Sequence, residues 1–124
     1  MPRTHSLGMR NHPFPFYDKI ADGTKNIEVR HLSGHLSNIK VGDFIKFTLD
    51  NQSMTCKVVA IRKYRTYEEL LRAEDLNRVV PGVKTIDEAL DIYKTFPCYK
   101  HVNPNGTPKV AAFEIELVSP EKMI

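Results

Sequence analysis

The spacing of apolar residues switches between two and three-to-four along the chain, and each switch marks a change of element. Between His5 and Met9, Leu7 and Met9 alternate with polar neighbours, which predicts a short strand that Asn11-His12-Pro13 breaks. Over 14–22, Phe16, Tyr17, Ile20 and Ala21 recur at helical spacing. Pro15 suits the first turn, and Gly23, free of a Cβ, can take the left-handed backbone that closes a helix. Residues 25–30 predict a strand with Ile27 and Val29 on one face and Asn26, Glu28 and Arg30 on the other. A polar loop (31–38) and a turn (39–43) lead to a strand over 44–49, where Ile45, Phe47 and Leu49 alternate with Lys46 and Thr48. After a turn cluster at 50–53 a long strand returns over 54–64. Its Val58, Val59, Ala60 and Ile61 are consecutively apolar, which predicts cover on both faces.

Two helices then announce themselves by capping boxes, Thr66 with Glu69 and Thr85 with Glu88. The first, over 67–74, buries Leu70 and Leu71. The second, over 86–95, carries Ile86, Ala89, Leu90 and Tyr93 as an apolar stripe. Val80-Pro81-Gly82-Val83 reads as the turn between them, Pro97 as the stop of the second, and 101–108 as a loop. A last strand over 109–118 turns Ala111, Phe113, Ile115 and Leu117 one way and Glu114 and Glu116 the other, and 119–124 reads as a frayed tail. About five strands and about three helices in this strand-rich order predict an α+β fold built on a small mixed β-barrel.

The length of 124 residues fits one domain, with its core over about 5–118. No apolar run is long enough to cross a bilayer, so no membrane is expected. The opening Met1-Pro2-Arg3-Thr4-His5 lacks the apolar segment of a signal peptide, which predicts an intracellular, cytoplasmic protein, or a nuclear one in a eukaryote. Cys56 and Cys98 are lone thiols expected to be reduced. A net charge of +3 permits a polyanionic partner without requiring one. His31 and His35 have the spacing of two ligands on a helix, but Ser33-Gly34 argues against a helix there and no third ligand follows, so neither a metal nor a cofactor is expected.

Candidate chemistry gathers at Gly23-Thr24-Lys25-Asn26-Ile27-Glu28-Val29-Arg30. Glu28 and Arg30 share a strand face, and Lys25 at the strand's mouth can reach over it. The competing reading is a solvated ion-pair edge. At the end of the long strand, Arg62-Lys63-Tyr64-Arg65 offers guanidinium forks for phosphate and a ring for base stacking, provided the patch adjoins the same cleft. If the chain is an enzyme, Glu28 would act as general base, Lys25 as electrostatic clamp, and His5 as proton donor should its strand lie alongside. Tyr93, Phe96 and Tyr99 could wall the cleft, although Tyr93 reads better as core.

The run from Phe16 through Ile20 to Arg30 resembles the opening motif of the activating signal cointegrator homology (ASCH) family. Further likenesses follow in the family's order: Ile39 through Phe47, Val59 through Tyr64 with Thr66 through Leu71, Val80 through Ala89, and Val110 through Ile115. The resemblance implies a PUA-like barrel with helices around a cleft. It also implies RNA or nucleotide binding, single-stranded nucleic acid included, through a Gly-x-Lys-x-x-Glu-x-Arg motif that falls here on Lys25, Glu28 and Arg30. A ribonuclease activity is proposed for some members, and a subgroup removes acyl groups from modified cytidine with a Lys, a Thr and a Glu. This chain keeps Lys25 but has Glu28 at the threonine position, and no acid stands near Pro81-Gly82-Val83 where the subgroup's glutamate aligns. That set is therefore incomplete, and a protein-interaction module with no ligand stands as a further alternative to RNA binding and hydrolysis.

Overall fold

In chain order the elements are β1 (Thr4–Gly8), α1 (Phe16–Ala21), β2 (Ile27–His31), β3 (Phe44–Leu49), β4 (Gln52–Tyr64), α2 (Tyr67–Ala73), α3 (Leu76–Val79), α4 (Ile86–Tyr93) and β5 (Val110–Glu121). Single 3-10 turns lie at Gly34–Asn38 and Pro97–His101. The structure is a computed structural model and describes residues 1–102 and 105–121, so part of the loop expected over 101–108 lies outside the described residues.

The strands form one sheet in the order β1-β3-β4-β5-β2, parallel between β1 and β3 and antiparallel elsewhere, curled into a half-barrel. The mixed α+β barrel expected from the sequence is thus the fold, with four helices among the described residues where about three were expected. The helix not anticipated is α3, four residues long and too short to show a period. Its start is nonetheless set by a side chain, since Asp75 accepts the amide of Asn77. Both capping-box threonines act as expected, accepting the amides of Glu69 and Glu88. Gly23 closes the α1 turn at φ +86°, where a Cβ would be strained.

Two expectations need correction. A break in register between Val58 and Ala60 turns Val59 outward, so the run from Val58 to Ile61 is not covered on both faces. The last strand also does not end at Val118: it continues to Glu121, opposite Ser53 of β4, and of the expected tail residues 122–124 lie outside the described residues.

Ile45, Phe47, Cys56, Val58 and Phe113 form the core of the sheet. Its first parallel pair is fixed by Asp43, whose carboxylate accepts the amides of Arg3 at 3.1 Å and Lys40 at 3.0 Å and lies 2.8 Å from His5 Nε2. Because β1 lies beside β3 rather than β2, His5 is committed to Asp43 and not to the Lys25–Arg30 cluster, which removes it as a proton donor there. These hydrogen bonds, that of His5 foremost, hold the Asp43 carboxyl down at about 2 against an ordinary 3.8. The unfolded chain then binds the extra proton first on acidification. The contribution is complete above about pH 4 and is lost as pH falls through about 2. Asp43→Asn should therefore be less stable at neutral pH and should lose less stability than the parent between pH 4 and 2. Denaturant unfolding followed by circular dichroism across that range checks it, and parallel acid profiles would refute it.

Candidate functional site

The sequence placed Glu28 and Arg30 on the face opposite the core; Ile27 and Val29 are core as expected, but the face of Glu28 is covered as well. Glu28 lies directly opposite Phe113 and Arg30 opposite Ala111, and paired residues of antiparallel strands share a face. Both therefore turn toward the inside of the curl, while Ile27 and Val29 occupy the other face, which α3 packs against. The solvated ion-pair edge is excluded, because Glu28 is 4% and Lys25 1% exposed.

Burial makes the partners of these charges decisive. Lys25 Nζ donates to the carbonyls of Val79, at 2.7 Å, and Ile27, and sits 3.4 Å from Glu28 Oε1 and 5.6 Å from the centre of the Phe16 ring. Desolvation lowers the Lys25 pKa, and the Glu28 carboxylate opposes that shift. Arg30 Nε donates to Glu28 Oε2 at 2.9 Å, and its Nη2 reaches Gly8 O at 2.8 Å and Met9 Sδ at 2.9 Å. Glu28 is thus held between two cations, one wholly interior and one extending to the surface. Since β1 and β2 are the two edges of the sheet, the Arg30 guanidinium also spans the open seam of the half-barrel.

Above Glu28 lies a cavity of about 160 Å3. Its inner wall is Phe16, Glu28, Tyr67 and Tyr93, and its rim includes Arg10, Arg30, Phe96 and Cys98. Arg10 lies over the Phe96 ring at 4.7 Å from its centre. Tyr67 stacks on Tyr93 at 5.5 Å between ring centres, and its hydroxyl is 3.4 Å from Cys98 Sγ. The Tyr93 hydroxyl is buried and has no hydrogen-bond partner among the described residues. Burial pushes the pKa of both phenols up, so both hydroxyls stay protonated across the physiological range.

Of the three aromatic residues singled out in the sequence, Phe96 and Tyr93 line this cavity, Tyr93 being core and wall at once. Tyr99 does not, stacking instead on Tyr67. Lys25 does not line it either, and acts on it only through Glu28. Phe16, Tyr67 and Arg10 were not anticipated as site residues. Phe16 reads as a helix core position in the sequence, Tyr67 only as the first residue of its helix, and Arg10 sits in an irregular segment with no pattern to flag it.

The Arg62-Lys63-Tyr64-Arg65 patch stands apart, since none of the four lines the cavity. Arg62 makes a bidentate pair with Glu74, at 2.7 and 2.8 Å, and meets Glu114 at 3.0 Å, while the Tyr64 hydroxyl donates to Glu74. Arg78 completes the cluster, 3.2 Å from Glu114 and donating to Asn26 at 2.8 Å. The fork and phenol expected to meet RNA are therefore engaged in pinning α2 and α3 to the sheet, and Lys63 and Arg65 are the exposed cations of that stretch. His31 borders the cavity and His35 is exposed on the 3-10 turn. Among the described residues no three His, Cys, Asp or Glu side chains group as metal ligands.

The family model described as the ASCH domain matches residues 12–121. The chain belongs to the ASCH domain family. That family is, in general, one of RNA-binding domains on a PUA-like fold, and nucleic-acid binding is its general expectation. The crystal structure of hypothetical protein PH0355 is similar at 30% identity and a TM-score of 0.74, over 94% of this chain and 99% of that one. The solution NMR structure of protein PF0455 from Pyrococcus furiosus is similar at 31% identity and a TM-score of 0.66, over 93% and 97% of the two chains. No curated protein matches. Among the described residues no helix of this ASCH domain is long and apolar enough to cross a membrane.

Proposed function

We propose that this ASCH domain binds single-stranded RNA by receiving one base in the cavity above Glu28, as part of intracellular RNA metabolism or the regulation of translation or transcription. The observation that carries the reading is a buried carboxylate at the base of an aromatic-walled cavity whose rim holds Arg10 and Arg30. Single-stranded RNA is read by stacking unpaired bases on aromatic rings and bonding their edges, which such a cavity provides. In this reading Glu28 accepts from a base-edge donor, Arg10 and Arg30 meet the flanking phosphates, and exposed Lys63 and Arg65 attract the strand at longer range. Lys25 is a positioning residue: it contacts no phosphate and holds Glu28 in place.

Fluorescence anisotropy with a short single-stranded RNA at two salt concentrations tests this. With two to four phosphates contacted, the logarithm of the binding constant should fall with that of salt at a slope of roughly −1.5 to −3, and the RNA should remain intact by mass spectrometry. Salt-insensitive or absent binding would sink the proposal. Cleaved RNA, or loss of the acyl group from acylated cytidine in the same assay, would instead favour a hydrolase in which Glu28 serves as general base beside Lys25.

A further inference from the structure

We infer that the Tyr93 hydroxyl is the specificity-determining partner of Glu28, and that the two together select a single-ring base; this rests on the reading of the cavity as a base-binding site. Three observations support it.

The first is the hydroxyl itself. Buried polar groups in folded proteins are almost always bonded, and leaving one unpaired costs stability. Tyr93 is 1% exposed, lies in the wall of the cavity, and its hydroxyl has no partner among the described residues. A group kept at that cost beside a cavity is satisfied most simply by what enters it.

The second is complementarity. Glu28 presents carboxylate oxygens that accept, already flanked by Lys25 and Arg30. Tyr93 stays protonated, because burial and the Glu28 charge both oppose its ionisation, so it presents a proton to give. An acceptor and a donor in one wall match a ring edge that carries a donor next to an acceptor. Uracil offers N3–H beside a carbonyl, and cytosine its 4-amino group beside N3.

The third is room. A cavity of about 160 Å3 is close to the ~150 Å3 known to admit benzene, and so accommodates one six-membered ring. Purines present comparable edges, but their fused second ring adds to the volume that a cavity of this size must hold.

The test compares wild type and Tyr93→Phe, a change that keeps the ring and deletes only the hydroxyl, on short oligo-U, oligo-C and oligo-A by anisotropy, with thermal unfolding alongside. Wild type should prefer both pyrimidine strands over oligo-A. Tyr93→Phe should lose about tenfold in pyrimidine affinity, the scale of one lost hydrogen bond, without loss of thermal stability. Equal binding of all three strands by wild type overturns the inference while leaving RNA binding intact, and so does unchanged pyrimidine affinity in Tyr93→Phe. A marked drop in melting temperature would show that the hydroxyl is bonded within the protein in solution, which also overturns it. Absence of binding to any strand rejects the base-binding reading itself, and this inference with it.

Discussion

Lys25→Met should lower the stability of the domain by about 3–5 kcal/mol, among the largest effects of any single substitution that conserves volume. The unbranched methionine fills most of the space of the lysine stem, so a cavity is not the cause. The cause is Glu28. With the ammonium gone, a carboxylate 4% exposed keeps Arg30 as its remaining cationic partner, and the carbonyls of Ile27 and Val79 lose their donor. The native ammonium is itself disfavoured by burial, as its lowered pKa shows, so a lysine is costly here and its removal costlier still. The melting temperature should fall by roughly 10 °C or more. Replacing both partners with apolar residues, Lys25→Met with Glu28→Leu, should recover part of the loss, because an apolar pair of similar volume leaves no unpaired charge on that side. Thermal and urea unfolding decide it. A single variant as stable as the parent would mean that the ammonium does not hold the carboxylate, and would detach Lys25 from the site altogether.

Glu28→Gln should weaken single-stranded RNA binding by about 10- to 100-fold, the range expected for a hydrogen bond to a charged acceptor. The amide keeps the shape of the carboxylate but carries half its acceptor capacity, and its NH2 must turn toward Lys25 or Arg30, which are donors themselves. Part of the effect can come through stability, so binding is to be measured well below the variant's own melting temperature, with the folded fraction checked by circular dichroism. Affinity within twofold of wild type would show that the base edge is not read by Glu28.

The strands, both capped helices and the family could be read from the chain because they rest on local rules: alternation, Thr-x-x-Glu boxes, and glycine at a helix end. The site was harder, and its central residue shows why. Alternation in Ile27-Glu28-Val29-Arg30 separates two faces but does not say which is inside. Hydrophobicity marks Ile27 and Val29 as core, which they are, but it leaves Glu28 outside, whereas α3 covers the one face and Glu28 shares the other with buried Phe113. No local signal tells that a four-residue helix some fifty positions later closes over the strand. Lys25 could be identified as important but not as buried, since its depth comes from that same α3, through Val79. Arg62 and Tyr64 look free in the sequence because Glu74 comes ten residues or more later, beyond the reach of any pattern. Tyr93 could be assigned to the core from its stripe, but the missing partner of its hydroxyl is a property of the assembled interior.

The guanidinium across the seam also bears on the exposed borders of the sheet. A sheet that curls without closing leaves two edges, and exposed edges invite strands from other chains. Both edge strands here are only five residues long, and the last carbonyl of β1, that of Gly8, is already taken by Arg30. One long side chain thereby occupies part of a border that a full barrel would abolish, leaving one backbone acceptor fewer for an incoming strand while the cleft beside it stays open.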